Sequence, residues 1–157
     1  MIVSAGNSGP RCSTVNRPPG HMGNVFSVGA SGTNTNTIAS FSSRGPITLD
    51  GSKRMKPEIT APGVGVWSSV IGNRYASYSG TSMASPAVNG AVALIWNAVP
   101  ALERKVDATI KIIQDTATKV PVSNTCESNG VPNNVYGYGV IDVEKAVDAA
   151  RKLYGNK

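Results

Sequence analysis

The feature that most restricts how this chain can fold is an uncharged, largely apolar segment that begins at Ser82 and ends at Val99, just before Pro100. Its large apolar side chains recur with the period of an α-helix, and several alanines together with Gly90 fill the other faces. The large side chains are Met83, Val88, Val92, Ile95 and Trp96. A helix that is apolar on nearly every face is expected inside a protein, with layers of structure on both of its sides.

The segments around this helix predict an α/β domain. Strands are predicted at residues 1–7, 24–30, 37–43, 58–62 and 74–80, and further helices at residues 101–117 and after Asp142. A short strand is predicted just before Asp142, which is placed to cap the last helix. Strands buried on both faces between long helices favour a layered fold with a mainly parallel sheet. Because the first strand begins at residue 1 with no upstream neighbour, we expect residues 1–157 to be an incomplete domain.

The composition excludes several functional classes. The formal charge of +6 comes from scattered basic residues without interleaved aromatic side chains, which argues against nucleic-acid binding. Polar residues interrupt the apolar helix, so we expect a buried helix and no membrane span. Cys12 and Cys126 are the only cysteines and are not spaced as metal ligands. A single disulfide and two inert thiols are both open, and the distance between them in the sequence favours free thiols.

The apolar helix opens with a cluster of small hydroxyl residues in the stretch YSGTSMASP, from Tyr78 to Pro86. One interpretation is that Thr81 or Ser82 only caps the helix. The other is that Ser82 is a nucleophile, because a helix start offers unpaired backbone N–H groups that can stabilise an oxyanion. The stretch by itself leaves both interpretations open.

Together with other motifs, this stretch resembles the subtilisin-like serine proteases, or subtilases. GTSMASP followed by VNGAVAL resembles the family's nucleophile segment, and VSAGNSGP at residues 3–10 resembles its oxyanion-asparagine segment. The segments FSVGAS, SFSSRGP, KPEITAPGVGVWSS and GYGVIDVEKAV match the family in the expected order. The resemblance covers nearly the whole chain. It implies the C-terminal part of a catalytic domain with a three-layer subtilisin-like fold.

The resemblance also implies a function, namely serine-type endopeptidase chemistry on a peptide or protein substrate. Ser82 would form the acyl-enzyme and Asn7 would hold the oxyanion. Ser4, Ala5 and Gly6 would form a wall of the pocket for the residue before the scissile bond. The full-length protein would be secreted or extracytoplasmic. Calcium is common in the family, but no loop here carries enough spaced carboxylates for us to assign a metal or any cofactor.

Two residues that the family's mechanism needs, an aspartate and a histidine upstream of the asparagine, have no counterpart here. His21, the only histidine, follows Asn7 and is interpreted as a surface-loop residue, and Asp50 as a turn residue. We therefore expect the chain alone to be inactive and to fold marginally, with the upstream half of the domain as its partner. The alternative is a truncated, non-catalytic homologue that is a binding module or a vestigial product. A serine esterase of another fold is excluded, because Ser82 does not lie in a G-x-S-x-G motif.

Overall fold

Three short parallel strands form the sheet that carries the predicted site. The computed structural model describes residues 1–155, and this sheet contains β1 (Ile2–Ser4), β2 (Phe26–Gly32) and β3 (Ile59–Val64) in the order β1–β2–β3. Both pairings are parallel, with Val3 opposite Ser27 and Ala30 opposite Ala61. The predicted α/β class with a mainly parallel sheet is confirmed. The carboxyl ends of parallel strands meet at one edge, where α/β folds bind their ligands.

The first α-helix packs on one face of this sheet, and two further helices join it in the same core. The three helices are α1 (Thr81–Ala98), α2 (Val106–Thr116) and α3 (Val143–Tyr154). Alternate side chains of a strand point to the same face, so every second residue of β2 joins the helices in one core. The members of this core from β2 and α1 include Phe26, Val28, Ala30, Ala84, Val88 and Ile95. The cap of α3 is as predicted, since the Asp142 carboxylate accepts a hydrogen bond from the Lys145 N–H at 3.0 Å.

The expectation that α1 is covered on both sides is wrong within residues 1–155. One stripe of the helix is buried against the sheet, while part of its apolar surface is exposed, and Leu94 is 54% accessible. The exposed apolar positions include Pro86, Ala87, Gly90, Ala93 and Leu94. The physical reason is that the sheet covers one side of α1 and α3 covers only part of the rest. No helix in the described residues combines the length and apolar character that crossing a membrane requires.

The opposite face of the sheet is polar and is covered by loops. Ser27 and Thr60 on this face are fully buried. The backbone N–H and the hydroxyl of Ser27 donate to the Glu58 carboxylate at 2.6 and 2.9 Å. The ammonium of Lys56, which is 1% exposed, forms an ion pair with the same carboxylate. The buried ammonium of Lys56 is therefore neutralised by the partly exposed carboxylate of Glu58.

Residues 37–43, predicted as a strand, form a loop with a single bridge at Ile38. The polar groups of this loop bond to separate parts of the chain. Ser42 Oγ accepts a hydrogen bond from the Ala30 N–H at 3.0 Å, and the Ser43 N–H donates to the Gly6 carbonyl at 2.9 Å. A loop that bonds to several partners does not build a regular ladder, although its alternating sequence is typical of a strand.

The remaining elements are two hairpins, and they differ in part from the sequence prediction. The strands β4 (Val66–Val70) and β5 (Arg74–Tyr78) pair antiparallel, as do β6 (Val122–Thr125) and β7 (Ser128–Gly130). Of these four strands, only β5 is among those predicted from the sequence.

The second helix begins at Val106, not at residue 101, because Pro100–Leu102 form a 3₁₀ turn and Arg104 has a φ of 63°, which an α-helix does not allow. Val140 makes isolated bridges to Thr60 and Thr118 in place of the predicted short strand.

Cys12 and Cys126 form a disulfide, so the preference for free thiols is wrong. A relay of hydrogen bonds brings the two segments together. The Ser13 N–H donates to the Gly45 carbonyl, and the Gly45 N–H donates to the Asn134 carbonyl. The Asn134 side chain donates to the Cys126 carbonyl at 2.8 Å. The pairing depends on these tertiary contacts, which the separation of the cysteines in the sequence does not reveal.

Candidate active site

Ser82 lies in the first turn of α1, and its side chain is exposed. The segment that leads to Ser82 passes close to β3, where the Gly80 N–H donates to the Gly63 carbonyl at 2.8 Å. A Cβ on Gly63 would lie 2.7 Å from the Ala30 Cβ, so only glycine fits at the end of β3. Within residues 1–155, the Ser82 backbone N–H has no hydrogen-bond acceptor. The first turn of a helix leaves such groups unpaired, and this one lies beside the Ser82 hydroxyl.

Asn7 follows β1 at the carboxyl edge of the sheet, and its exposed side chain reaches the same helix start. Its Oδ1 accepts a hydrogen bond from the Thr81 N–H at 3.0 Å and another from the Thr81 hydroxyl at 2.9 Å. Its Nδ2 lies beside Gly80, 3.4 Å from the point that a Cβ there would occupy. The structure thus brings the two catalytic residues predicted from the sequence to one place. An amide N–H of Asn7 and the backbone N–H of Ser82 are both available there as donors.

The hydroxyl residues of the cluster do not cap α1 with their own side chains. The N-cap residue is Gly80, which has no side chain, and Asn7 from outside the helix accepts the hydrogen bond of the first helical N–H. The interpretation of Thr81 or Ser82 as a simple cap is therefore wrong. Since Asn7 takes that role, the Ser82 hydroxyl makes no capping hydrogen bond within residues 1–155.

Ser4, Ala5 and Gly6, the predicted pocket wall, continue from β1 to Asn7. Ala5 is buried and its N–H donates to the Val28 carbonyl at 3.0 Å, whereas Ser4 and Gly6 are half-buried. Gly6 has a φ of 108°, and a Cβ there would lie 2.9 Å from Ser43 Oγ, so its lack of a side chain is required. These three residues form a segment of small residues beside the two donors.

Thr81 has a role in the site that goes beyond the helix cap predicted from the sequence. It is fully buried, and its hydroxyl accepts a hydrogen bond from the Gly6 N–H at 3.2 Å while donating to Asn7 Oδ1. One hydroxyl therefore joins the helix start to the segment that carries Asn7. The only sign of this role in the sequence is that Thr81 directly precedes Ser82, and a helix cap explains that position equally well.

Neither His21 nor Asp50 forms a hydrogen bond with Ser82 in the described residues. His21 lies in a turn, where its carbonyl accepts a hydrogen bond from Arg54 at 3.0 Å. Asp50 lies in another turn, and hydrogen bonds from Ser52 and then from Arg54 hold its pKa well below the usual range. Their positions agree with the interpretation of both as loop residues. Across residues 1–155, no group of three or more His, Cys, Asp or Glu is placed to hold a metal ion, so this part of the chain does not fit a calcium site built from carboxylates.

Comparison with known sequences identifies the family of the chain. Residues 1–139 match the model of the subtilase family. The chain is 36% identical to the serine protease AprX of Bacillus subtilis over 94% of this chain and 35% of that protein. It is 37% identical to the human membrane-bound transcription factor site-1 protease over 93% of this chain and 13% of that protein. The chain therefore spans about a third or less of the length of these curated relatives.

Solved structures agree with this assignment. The CspB protease of Clostridium perfringens superposes with a TM-score of 0.71 at 25% identity, over 88% of this chain and 29% of that chain. The prenylagaramide maturation protease PagA has a TM-score of 0.68 at 22% identity, over 94% of this chain and 49% of that chain, and supports the fold alone. Since the family model matches far more than half of its residues, the chain belongs to the subtilase family.

Proposed function

We propose that this chain is the nucleophile-bearing part of a serine-type endopeptidase. The observation that carries the proposal is a pair of donors at the start of α1, the Ser82 N–H and the Asn7 amide N–H, which have no acceptor within residues 1–155. Donors that are fixed before the reaction stabilise the developing oxyanion most effectively. Membership of the subtilase family supports the same chemistry.

In this proposal, Ser82 Oγ attacks the carbonyl carbon of the scissile peptide bond as its proton passes to a general base. The carbonyl oxygen becomes an oxyanion that accepts hydrogen bonds from the Ser82 N–H and from Asn7 Nδ2. Collapse of the tetrahedral intermediate releases the amine product, which takes up the proton, and leaves an ester on Ser82. Water then hydrolyses the ester by the same route and restores the serine. Ser4, Ala5 and Gly6 would line the pocket for the residue before the cleaved bond.

The general base is proposed to lie outside this chain, in the upstream half of the catalytic domain or in a partner that carries it. His21 and Asp50 both lie in turns: the Asp50 carboxylate is held by Arg54, and His21 is tied to the same arginine through its backbone carbonyl. The exposed apolar surface of α1 around Leu94 supports a further packing partner. Base assistance contributes about 10²–10⁴ in rate, so residues 1–157 alone are expected to have no useful peptidase activity.

A second candidate is a non-catalytic subtilase homologue that binds peptides. It is favoured by one observation: within residues 1–155, no side chain accepts a hydrogen bond from the Ser82 hydroxyl. The two candidates differ in whether the native polypeptide activates Ser82.

An extracytoplasmic location is proposed as well. The Cys12–Cys126 disulfide supports it, because such bonds persist in oxidising compartments and are rare in reducing ones.

The test is covalent labelling of Ser82 in the native polypeptide that contains this chain, using a fluorophosphonate probe and intact-mass analysis. An activated serine adds one probe molecule, and peptide mapping is expected to locate it on Ser82. The matched controls are Ser82→Ala, which should not be labelled, and Ser85→Ala, which should be labelled as the wild type is. Failure of the native polypeptide to react would favour the non-catalytic homologue. Labelling of the isolated 157 residues would contradict the proposal that the base lies elsewhere.

A further inference from the structure

The hairpin formed by β4 and β5 leads directly into the nucleophile segment. Its base is closed by two hydrogen bonds, from the Gly65 N–H to Ser79 Oγ at 2.9 Å and from the Gly80 N–H to the Gly63 carbonyl at 2.8 Å. These bonds fix the hairpin relative to the start of α1. A polypeptide bound across Ser82 and continuing along β5 would therefore meet the hairpin at a defined place.

One face of this hairpin bears an open cleft of about 390 Å³, lined by Val70, Ile71, Arg74 and Tyr78. The strand register explains why these side chains meet. Val70 lies opposite Arg74, and Tyr78 lies four residues after Arg74 on β5. Because every second residue of a strand points to the same side, all three side chains share a face. Ile71 at the turn is 95% exposed and Tyr78 is 53% exposed. We call this surface the hairpin cleft.

The hairpin cleft combines apolar walls with one cation. Within residues 1–155, Arg74 has no carboxylate within ion-pair distance and its guanidinium makes no hydrogen bond, whereas Arg54 is paired with Asp50 at 2.7 Å. An arginine fork next to apolar walls is suited to a carboxylate at the end of a short aliphatic stem. The ligand chemistry that fits is therefore a glutamate or aspartate side chain flanked by apolar residues.

We propose that the hairpin cleft is a specificity subsite, which binds an acidic residue of the polypeptide substrate through Arg74. The inference rests on the proposed endopeptidase function. Arg74 lies four residues before Tyr78 on an extended strand, or roughly 13 Å along it. We take Tyr78, which precedes Ser82 by four residues, as the residue of β5 nearest the scissile bond. Substrate residues in an extended conformation advance by roughly 3.3 Å each, so the acidic residue lies about three to five positions from that bond, on one side of it.

The experiment compares cleavage by the native polypeptide of peptides that carry Glu or Gln at each position from three to five, on either side of the scissile bond. We expect kcat/KM to favour Glu about three- to tenfold on one side only, and less at high salt. Arg74→Glu is expected to remove or reverse this preference. Lys152→Glu makes the same change of charge on the distant helix α3 and is expected to leave the preference unchanged. Equal cleavage of Glu and Gln peptides by the wild type, or a preference that survives in Arg74→Glu, would overturn the subsite.

A second measurement separates this inference from the proposed function. Binding of fluorescent Glu and Gln peptides to Ser82→Ala is followed by anisotropy, which requires no catalysis. Selective binding of the Glu peptide that Arg74→Glu abolishes supports the subsite even if no peptide is cleaved, and lack of cleavage then counts against the endopeptidase alone. Self-association in sedimentation that Ile71→Ser abolishes, without Glu-selective binding, would assign the hairpin cleft to a second copy of the chain and overturn the proposal.

Discussion

Asn7 and Thr81 are joined by two hydrogen bonds, from the Thr81 N–H and the Thr81 hydroxyl to the same oxygen, Asn7 Oδ1, at 3.0 and 2.9 Å. With its oxygen held twice, the amide has a fixed orientation and its Nδ2 lies on the side of Gly80. A proposed oxyanion donor is thus preorganised by the residue next to the proposed nucleophile. Thr81 acts through Asn7, which makes it a positioning residue.

The first prediction separates the two ends of the Asn7 amide. Asn7→Asp keeps an oxygen that accepts both hydrogen bonds from Thr81 but replaces the N–H donor by a second oxygen. We expect kcat of the native polypeptide to fall about 10²–10³-fold, the range known for loss of one oxyanion donor in this family, with little change in thermal stability. Asn7→Ala also removes the helix cap and should cost about 1 kcal/mol in the free energy of unfolding. Retention of a tenth or more of wild-type kcat in Asn7→Asp would refute the assigned role.

The second prediction concerns the Thr81 hydroxyl. Thr81→Val preserves the shape of this fully buried side chain but leaves the Gly6 N–H without its acceptor. We expect the free energy of unfolding to fall by about 1–3 kcal/mol, and kcat to fall less than in Asn7→Asp, because the Thr81 N–H still holds Asn7. Urea unfolding and steady-state kinetics measure the two effects. Thr81→Ser keeps the hydroxyl but loses one buried methyl group, which costs about 1 kcal/mol, so its kcat should lie close to the wild type. Equal losses of kcat in the Ser and Val variants would exclude the hydroxyl as their cause.

The features that the sequence predicted correctly are those set by local chemistry. The 3.6-residue period before Pro100 located α1 to within a residue at each end, and the position of Asp142 before an amphipathic segment predicted the cap of α3. The subtilase motifs singled out Ser82 and Asn7, and the structure brings these two residues together. Whether they act as nucleophile and oxyanion donor stays a prediction.

The features that the sequence did not reveal depend on contacts between distant segments. The Cys12–Cys126 pairing follows from a relay of hydrogen bonds through Gly45 and Asn134. Which side of α1 is exposed depends on the elements that pack against the helix. The apolar sequence of the helix does not predict how much of the helix surface they cover. The role of Thr81 depends on Gly6 reaching the helix start across 75 residues of sequence.

The third prediction is a pH dependence of stability that originates at Asp142. Hydrogen bonds from the side chain of Lys145 and then from its backbone N–H lower the pKa of Asp142 in the folded state. A lowered pKa contributes stability above the unfolded value of about 3.9, and this stability is lost as the pH falls through the folded pKa. We therefore expect the free energy of unfolding to decrease below about pH 4 more steeply in the wild type than in Asp142→Asn, measured by urea unfolding from pH 2 to 7.

Asp142→Asn is the matched variant because its amide oxygen still accepts the Lys145 N–H while the charge is removed. Asp142→Ala, which also loses the cap, should be less stable by about 1 kcal/mol at pH 7. If the free energy of unfolding falls equally steeply below pH 4 in the wild type and in Asp142→Asn, other carboxylates control the acid transition.

The fourth prediction concerns the disulfide, which connects the loop after Asn7 to the turn between β6 and β7. A crosslink that closes so long a loop restricts the unfolded chain, and in the chain-entropy account its loss costs about 3–5 kcal/mol. We expect reduction by a dithiol, or the double variant Cys12→Ser, Cys126→Ser, to lower the free energy of unfolding by this amount. The double variant in the presence of reductant is the control and should not change further. If the oxidised and reduced proteins unfold at the same urea concentration, the hydrogen bonds from residues 13–15 to Arg44 and Gly45 hold the loop by themselves, and the crosslink has no measurable effect on stability.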